Sequence, residues 1–208
     1  PKTTKALENR LTKIDSGWWY DRTYQNKHVS LIWYQYYFGD RVAYCIEPGV
    51  IEGNDYNIGD WNNSKLPNDL KEKMLLIAYY GQEYPEHSTN TKYAAAAQAL
   101  IWETMGATNI KFSTGQWLTG NLIDVTLEKQ RIMNFVNHHY DKPSFNGKEF
   151  TVEKNDTLTI NDDNNILNNY EILDSDNSQV QIIGNSLNIT PNKYGNIEIK
   201  LRKKQYTN

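Results

Sequence analysis

The chain has 208 residues, a net charge of −3 and a pI near 5.8. That is room for one domain, or one domain of two lobes, with a real core. The balance is too acidic to suggest nucleic acid or an anionic membrane surface as partner, and no apolar run approaches the ~20 residues of a membrane span. The first residue, Pro1, is not preceded by a charged n-region and apolar h-region, so a signal peptide is expected to have been removed. Cys45 is the single cysteine, which excludes an internal disulfide framework. Fifteen tyrosines and six tryptophans suit aromatic-rich β structure and binding surfaces alike.

In chain order, the first third reads as strands. His28–Phe38 is β-branched and aromatic, Gly39-Asp40 is a turn signal, and Arg41–Glu47 returns as a second strand that carries Cys45 and stops at Pro48-Gly49. Residues 49–64 read as loop. Helical spacing then takes over: Leu70, Met74, Ile77 and Ala78 predict a helix over 68–80, entered at Pro67 and stopped at Gly81. A second helix is predicted from Thr91 to Met105, begun by Thr89 or Thr91 and ended by Gly106. A third is predicted from Val125 to Tyr140, with Asp124 and Thr126 as caps and Pro143 beyond its end. From Phe150 the period returns to two, with strands predicted at 150–153, 157–160, 170–173, 179–183, 186–190 and 196–203. Gly184-Asn185 is the clearest hairpin turn among them.

Strands, then helices, then strands, without a βαβ rhythm, imply an α+β fold. The expected arrangement is one domain over 1–208, in which an antiparallel, sandwich-like or barrel-like β lobe (about 1–60 and 143–208) receives an inserted helical lobe (about 65–142). A monomer is expected.

The chemistry concentrates on two residues. Cys45 lies in Ala43-Tyr44-Cys45-Ile46-Glu47-Pro48-Gly49, and Gln98 in an alanine-rich helix, Tyr93-Ala-Ala-Ala-Ala-Gln98-Ala-Leu-Ile101-Trp102-Glu103. On that helix Gln98 shares a face with Ala94, Ala95, Ile101, Trp102 and Met105, so its carboxamide is desolvated and must find partners or react. The alanines allow a neighbouring strand to approach closely. A thiol and a primary carboxamide so placed can condense, with loss of ammonia, to an internal thioester; Trp102, one turn along, is positioned to exclude water. Spacing and composition alone leave the blander alternative of a small core cysteine and a hydrogen-bonded glutamine.

Taken together, Tyr44-Cys45-Ile46 with Glu47-Pro48-Gly49, Ile77-Ala-Tyr-Tyr-Gly81, and Gln98-Ala-Leu-Ile101-Trp102-Glu103 resemble the thioester domain of Gram-positive surface adhesins, as do Lys142-Pro-Ser-Phe145 and the strand-rich tail. Ala97 stands where that family usually carries Thr, and Leu100 where it usually carries Ala. The resemblance implies that Cys45 and Gln98 form an internal thioester, supported by Tyr44, Ile46, Ile101, Trp102 and Glu103. An amine, typically a lysine of a host surface or matrix protein, would attack residue 98, form an amide and release the Cys45 thiol. This is single-turnover capture, not enzymatic turnover. It also implies an extracellular, cell-wall-anchored parent protein. Tyr44, Glu47, Glu103 and the four histidines are candidates to polarise the carbonyl or accept the amine's proton.

Two other classes compete. A Cys/His hydrolase or acyl-transferase could draw on His28, His87, His138 or His139, although no nucleophile elbow or Gly-rich oxyanion loop surrounds Cys45. A glycan-binding module could use Trp18, Trp19, Tyr20, Trp33, Tyr34, Tyr36 and Tyr37. No metal or cofactor is expected: Asn161–Asn165 and Asp174–Ser178 have calcium-loop flavour but lack the Gly and terminal Glu of an EF-hand, and read as acidic turns.

Overall fold

The computed structural model describes residues 11–49, 61, 64–88 and 90–204. The loop expected over 49–64 and the cap assigned to Thr89 fall largely outside them. The chain divides into two compact units, Pro1–Val136 and Asn137–Asn208. Its architecture is α+β, with three helices and antiparallel sheets and no closed barrel among the described residues. Strands from the two ends of the chain lie in separate sheets there.

The first unit is built on a five-stranded sheet. Strand β1 (Leu11–Tyr24) turns through Gln25 and Asn26, both in the left-handed region, into β2 (Lys27–Phe38), and Gly39-Asp40 leads to β3 (Arg41–Ala43). The long β1 is missing from the sequence-based expectation because Asp15-Ser-Gly17 breaks its alternation. The ladder with β2 shifts register there, and Gly17 takes a φ of +74°, which favours glycine. On the other side β1 pairs with β4 (Thr108–Ser113), which pairs with the short β5 (Leu122–Ile123), giving the order β3-β2-β1-β4-β5. These last two strands correct the expectation of a purely helical middle third. They are short, and their partner β1 is distant in sequence, so local period gives them little signal.

Helices α1 (Asn68–Tyr79), α2 (Thr91–Thr104) and α3 (Thr126–Asn137) match the predicted segments with shorter ends. The cap of α2 is Asn90, whose side chain accepts the Lys92 N–H; Thr91 is already inside the helix. Asp124 accepts the Thr126 N–H at the start of α3. Every residue of α2 from Tyr93 to Trp102 is buried, all of them apolar but Gln98, so this stretch of the helix is covered on every side and lies inside the unit. Trp102 packs on Tyr20 of β1, with ring centroids 4.9 Å apart. Trp33 and Phe112 extend this core across the sheet, while Met74, Ile77, Ile132 and Phe135 bring in the other helices.

The second unit contains a three-stranded sheet of β6 (Leu158–Asn161), β9 (Ser186–Thr190) and β8 (Gln179–Ile183), and a two-stranded pair of β7 (Tyr170–Asp174) with β10 (Lys200–Lys203). The Gly184-Asn185 hairpin forms as expected, with Ile183 facing Ser186. Residues 150–153 and 196–199 are not strand. The acidic run at 161–165 is a turn organised on buried Asp162, whose carboxylate accepts the N–H groups of Ser144, Asn164 and Ile166.

The link from α1 to α2 is closed by His87, which is fully buried. Its Nδ1 donates to the carbonyls of Tyr80 and Gly81 at 3.0 and 3.1 Å, the two residues that follow α1, and its ring stacks on Tyr93 with centroids 3.5 Å apart. Burial lowers its pKa from 6.5. Native His87 therefore resists protonation while the unfolded chain accepts a proton, so stability is intact above pH 6.5 and falls as pH drops through that value. All six tryptophans lie in the first unit, so urea unfolding followed by tryptophan fluorescence reads this unit. We expect His87→Gln to be less stable than wild type at pH 7.5, and the gap to narrow at pH 5. A gap of constant size would show that His87 does not contribute to the pH dependence.

Candidate functional site

Regular pairing stops at Ala43, so Cys45 lies two residues beyond the end of β3 and not on the strand expected over 41–47. The physical reason is on the neighbouring helix. The Cys45 N–H donates to Gln98 Oε1 at 2.9 Å, and Gln98 Nε2 donates to the Cys45 carbonyl at 2.7 Å. One side-chain amide thus meets both backbone groups of Cys45, as a neighbouring strand would. Gln98 is 3% exposed. It sits at the middle of the buried alanine run, where the small side chains at 94–97 and 99 let the 44–47 segment come close. The Cys45 thiol is half-buried and donates to the Glu47 carbonyl at 3.5 Å.

The segment before Cys45 is fixed by the turn after α1. Glu83 accepts from the Arg41 guanidinium through both carboxylate oxygens and from the Val42 N–H at 2.7 Å. This pairing raises the Arg41 pKa. Gln82 accepts from Gln35 of β2 at 2.9 Å, and its N–H donates to the Tyr44 hydroxyl at 3.4 Å. Burial drives the Tyr44 phenol pKa well up, so this hydroxyl stays protonated. Gly81 makes room for it: a Cβ there would stand 2.6 Å from the Tyr44 oxygen and 3.0 Å from the Ala97 Cβ.

Of the expected supporting residues, Tyr44 and Ile46 flank Cys45 in sequence, and Ile101 and Trp102 are buried on α2 one turn from Gln98. Trp102 faces β1, with the Arg22 guanidinium 4.5 Å from its ring centre. Glu103 is turned away, ion-paired with Lys129 of α3. The four histidines are engaged elsewhere: His28 with Asp21, His87 with the Tyr80 and Gly81 carbonyls, His138 with Asp141, and His139 edge-on against the Tyr140 ring. No hydrogen bond joins Cys45 to a histidine among the described residues. Of the aromatics proposed as a glycan platform, Tyr20, Trp33 and Tyr36 are core residues and Trp18 stacks on Trp33. Gln82 and Glu83 were not singled out from sequence. Their signal was only that two polar residues follow the Gly81 helix stop.

The thioester domain family model matches residues 42–136, a span that contains both Cys45 and Gln98. This segment belongs to the thioester domain family. A solved structure, the thioester domain of the Staphylococcus aureus TIE protein, matches with a TM-score of 0.52 at 20% identity, covering 88% of this chain and 76% of that one. At that identity the match speaks for the fold. No curated protein matches the chain. No helix among the described residues is long and apolar enough to cross a membrane.

The packing around the thioester domain's Gly81 makes a direct prediction. Gly81→Ala forces Tyr44 or the α1–α2 contact to shift, at a cost of about 1–3 kcal/mol. Thermal unfolding followed by tryptophan fluorescence should register that loss, and Tyr44→Phe in the same chain should recover part of it. A Gly81→Ala protein as stable as wild type would contradict this contact.

Proposed function

We propose that this is a covalent-capture domain of a surface adhesin, in which Cys45 and Gln98 form an internal thioester. The observation that carries the proposal is the reciprocal pair of hydrogen bonds between the Gln98 carboxamide and the Cys45 backbone, in a segment of the thioester domain family. In the proposed chemistry the Cys45 sulfur adds to Gln98 Cδ, and charge develops on Oε1, where the Cys45 N–H already donates. Collapse breaks the Cδ–Nε2 bond. Nε2 leaves as ammonia with the proton that the thiol gives up, and an Sγ–Cδ bond remains.

An incoming amine, of the kind a lysine of a host ligand supplies, then adds to Cδ. The Cδ–N bond forms, the Cδ–Sγ bond breaks, and the proton lost by the amine ends on the Cys45 thiol. The product is an amide between the partner and residue 98. Each molecule reacts once, which suits an adhesin displayed outside the cell on a larger, wall-anchored protein of a Gram-positive bacterium.

Intact-mass spectrometry of undenatured protein tests this directly. Wild type is expected to weigh less than its sequence by one ammonia, while Cys45→Ala and Gln98→Ala show no deficit. Methylamine should add at residue 98 and expose one titratable thiol. Wild-type protein at its full sequence mass, with its thiol free from the start, would refute the proposal.

A further inference from the structure

The charge that the mechanism above leaves unused is Arg22. It is 3% exposed, yet no carboxylate pairs with it among the described residues. Its guanidinium instead lies over the Trp102 and Tyr20 rings, 4.5 and 5.2 Å from their centres. Cation–π contacts engage the faces of the guanidinium plane and not the N–H fork at its edge. A buried cation without a counter-charge is costly, and Arg22 sits where β1 departs from regular pairing: its register with β4 shifts between Asp21 and Thr23. Such irregularities re-aim a side chain and occur beside functional sites.

The fork borders a cavity of about 160 Å³ lined also by Tyr24, Lys27, Val29, Pro48 and Gly49. The cavity is smaller than the pockets that enclose drug-sized ligands, so it suits one short side chain. Among the described residues the two charged ones that line it are both cations, on a chain whose net charge is −3. Two of its walls belong to the reactive region. Pro48-Gly49 lies three and four residues beyond Cys45, and Gly49 lies against the Tyr24 ring so closely that a Cβ there would stand 3.1 Å from it. Four residues of chain place Gly49 within about 14 Å of Cys45 at most. Trp102, beneath Arg22, is one turn from Gln98 on the same helix.

We propose that this cavity receives a carboxylate, the side chain of an Asp or Glu on the captured partner near its reactive lysine. Arg22 offers the planar fork that matches a carboxylate, and Lys27 a second positive charge at the rim. The inference rests on the capture reading for its biological meaning: the domain would select lysines that have an acidic neighbour.

Two measurements test it, one independent of the thioester. In the first, wild-type protein is titrated with glutarate while the Arg22 Nε–H and the Trp102 indole N–H are followed by NMR. Both resonances should shift saturably, and butane-1,4-diol should leave them in place. In the second, rates of adduct formation at low salt are compared for 6-aminohexanoate and 6-amino-1-hexanol, which differ at the end remote from the amine. The acid should react faster by about fivefold, the size of a partly exposed charge contact. The ratio should fall towards one in Arg22→Met, in Lys27→Gln at the exposed start of β2, and in high salt. Failure of methylamine to add to wild type would sink the capture reading alone and leave the glutarate titration to decide the cavity. A ratio of one in reactive wild-type protein, or no glutarate shift at Arg22, overturns the carboxylate site.

Discussion

The arrangement around Cys45 depends on how its two backbone groups are satisfied. A strand that ended at Ala43 would leave the next N–H and C=O groups seeking partners in a half-buried place, where an unpaired group costs about 1–3 kcal/mol. The Gln98 carboxamide answers both groups at once, and its own burial is tolerable only because Cys45 answers it. Neither residue is well placed without the other. The alanine run matters through what it lacks: at Ala94–Ala97 and Ala99 there is no side chain to hold the 44–47 segment away from the helix.

A second set of contacts fixes the approach. Glu83 grips the start of β3, Gln82 meets both Gln35 and the Tyr44 hydroxyl, and Gly81 leaves the space that hydroxyl occupies. His87 then ties the end of α1 to the start of α2 by binding the Tyr80 and Gly81 carbonyls and stacking on Tyr93. Gly81 thus lies at a junction where the position of Tyr44, and so of Cys45, is set by the same few atoms that join the two helices. Ala97 touches that junction as well, so the size of the residue before Gln98 bears on how closely α1 and α2 can meet.

Much of this was legible in the sequence because it is local. The three helices have clear spacing and stops, the Gly184-Asn185 turn announces its hairpin, and Cys45 and Gln98 stand out as a lone thiol and a desolvated amide. The parts that were not legible are those fixed by distant partners. Strand β1 is interrupted by its own bulge, β4 and β5 exist because β1 offers an edge, and the expected strand over 41–47 was cut short by a side chain from α2. Glu103, adjacent to Trp102 in sequence, points towards α3 instead of the site, a matter of helix face that the resemblance did not resolve. Arg22 carried no sequence signal because its meaning depends on Trp102, far along the chain.

The hydrogen bonds around Cys45 also bear on why the proposed exchange would run in one direction. With Gln98 as a free amide, Cys45 has both its donor and its acceptor engaged. Loss of Nε2 as ammonia removes the donor that faces the Cys45 carbonyl, while the bond from the Cys45 N–H to Oε1 can persist. The thioester state is therefore one hydrogen bond poorer, in a half-buried setting where an unanswered carbonyl is costly. Attack by a primary amine creates a secondary amide that still carries one N–H, in place of the nitrogen that left. That N–H can donate to the Cys45 carbonyl again. Water cannot supply it, because hydrolysis would leave a carboxylate, which has only acceptors to offer a carbonyl. On this account the backbone of Cys45 does more than position the thiol: it favours an amine over water as the final partner of residue 98.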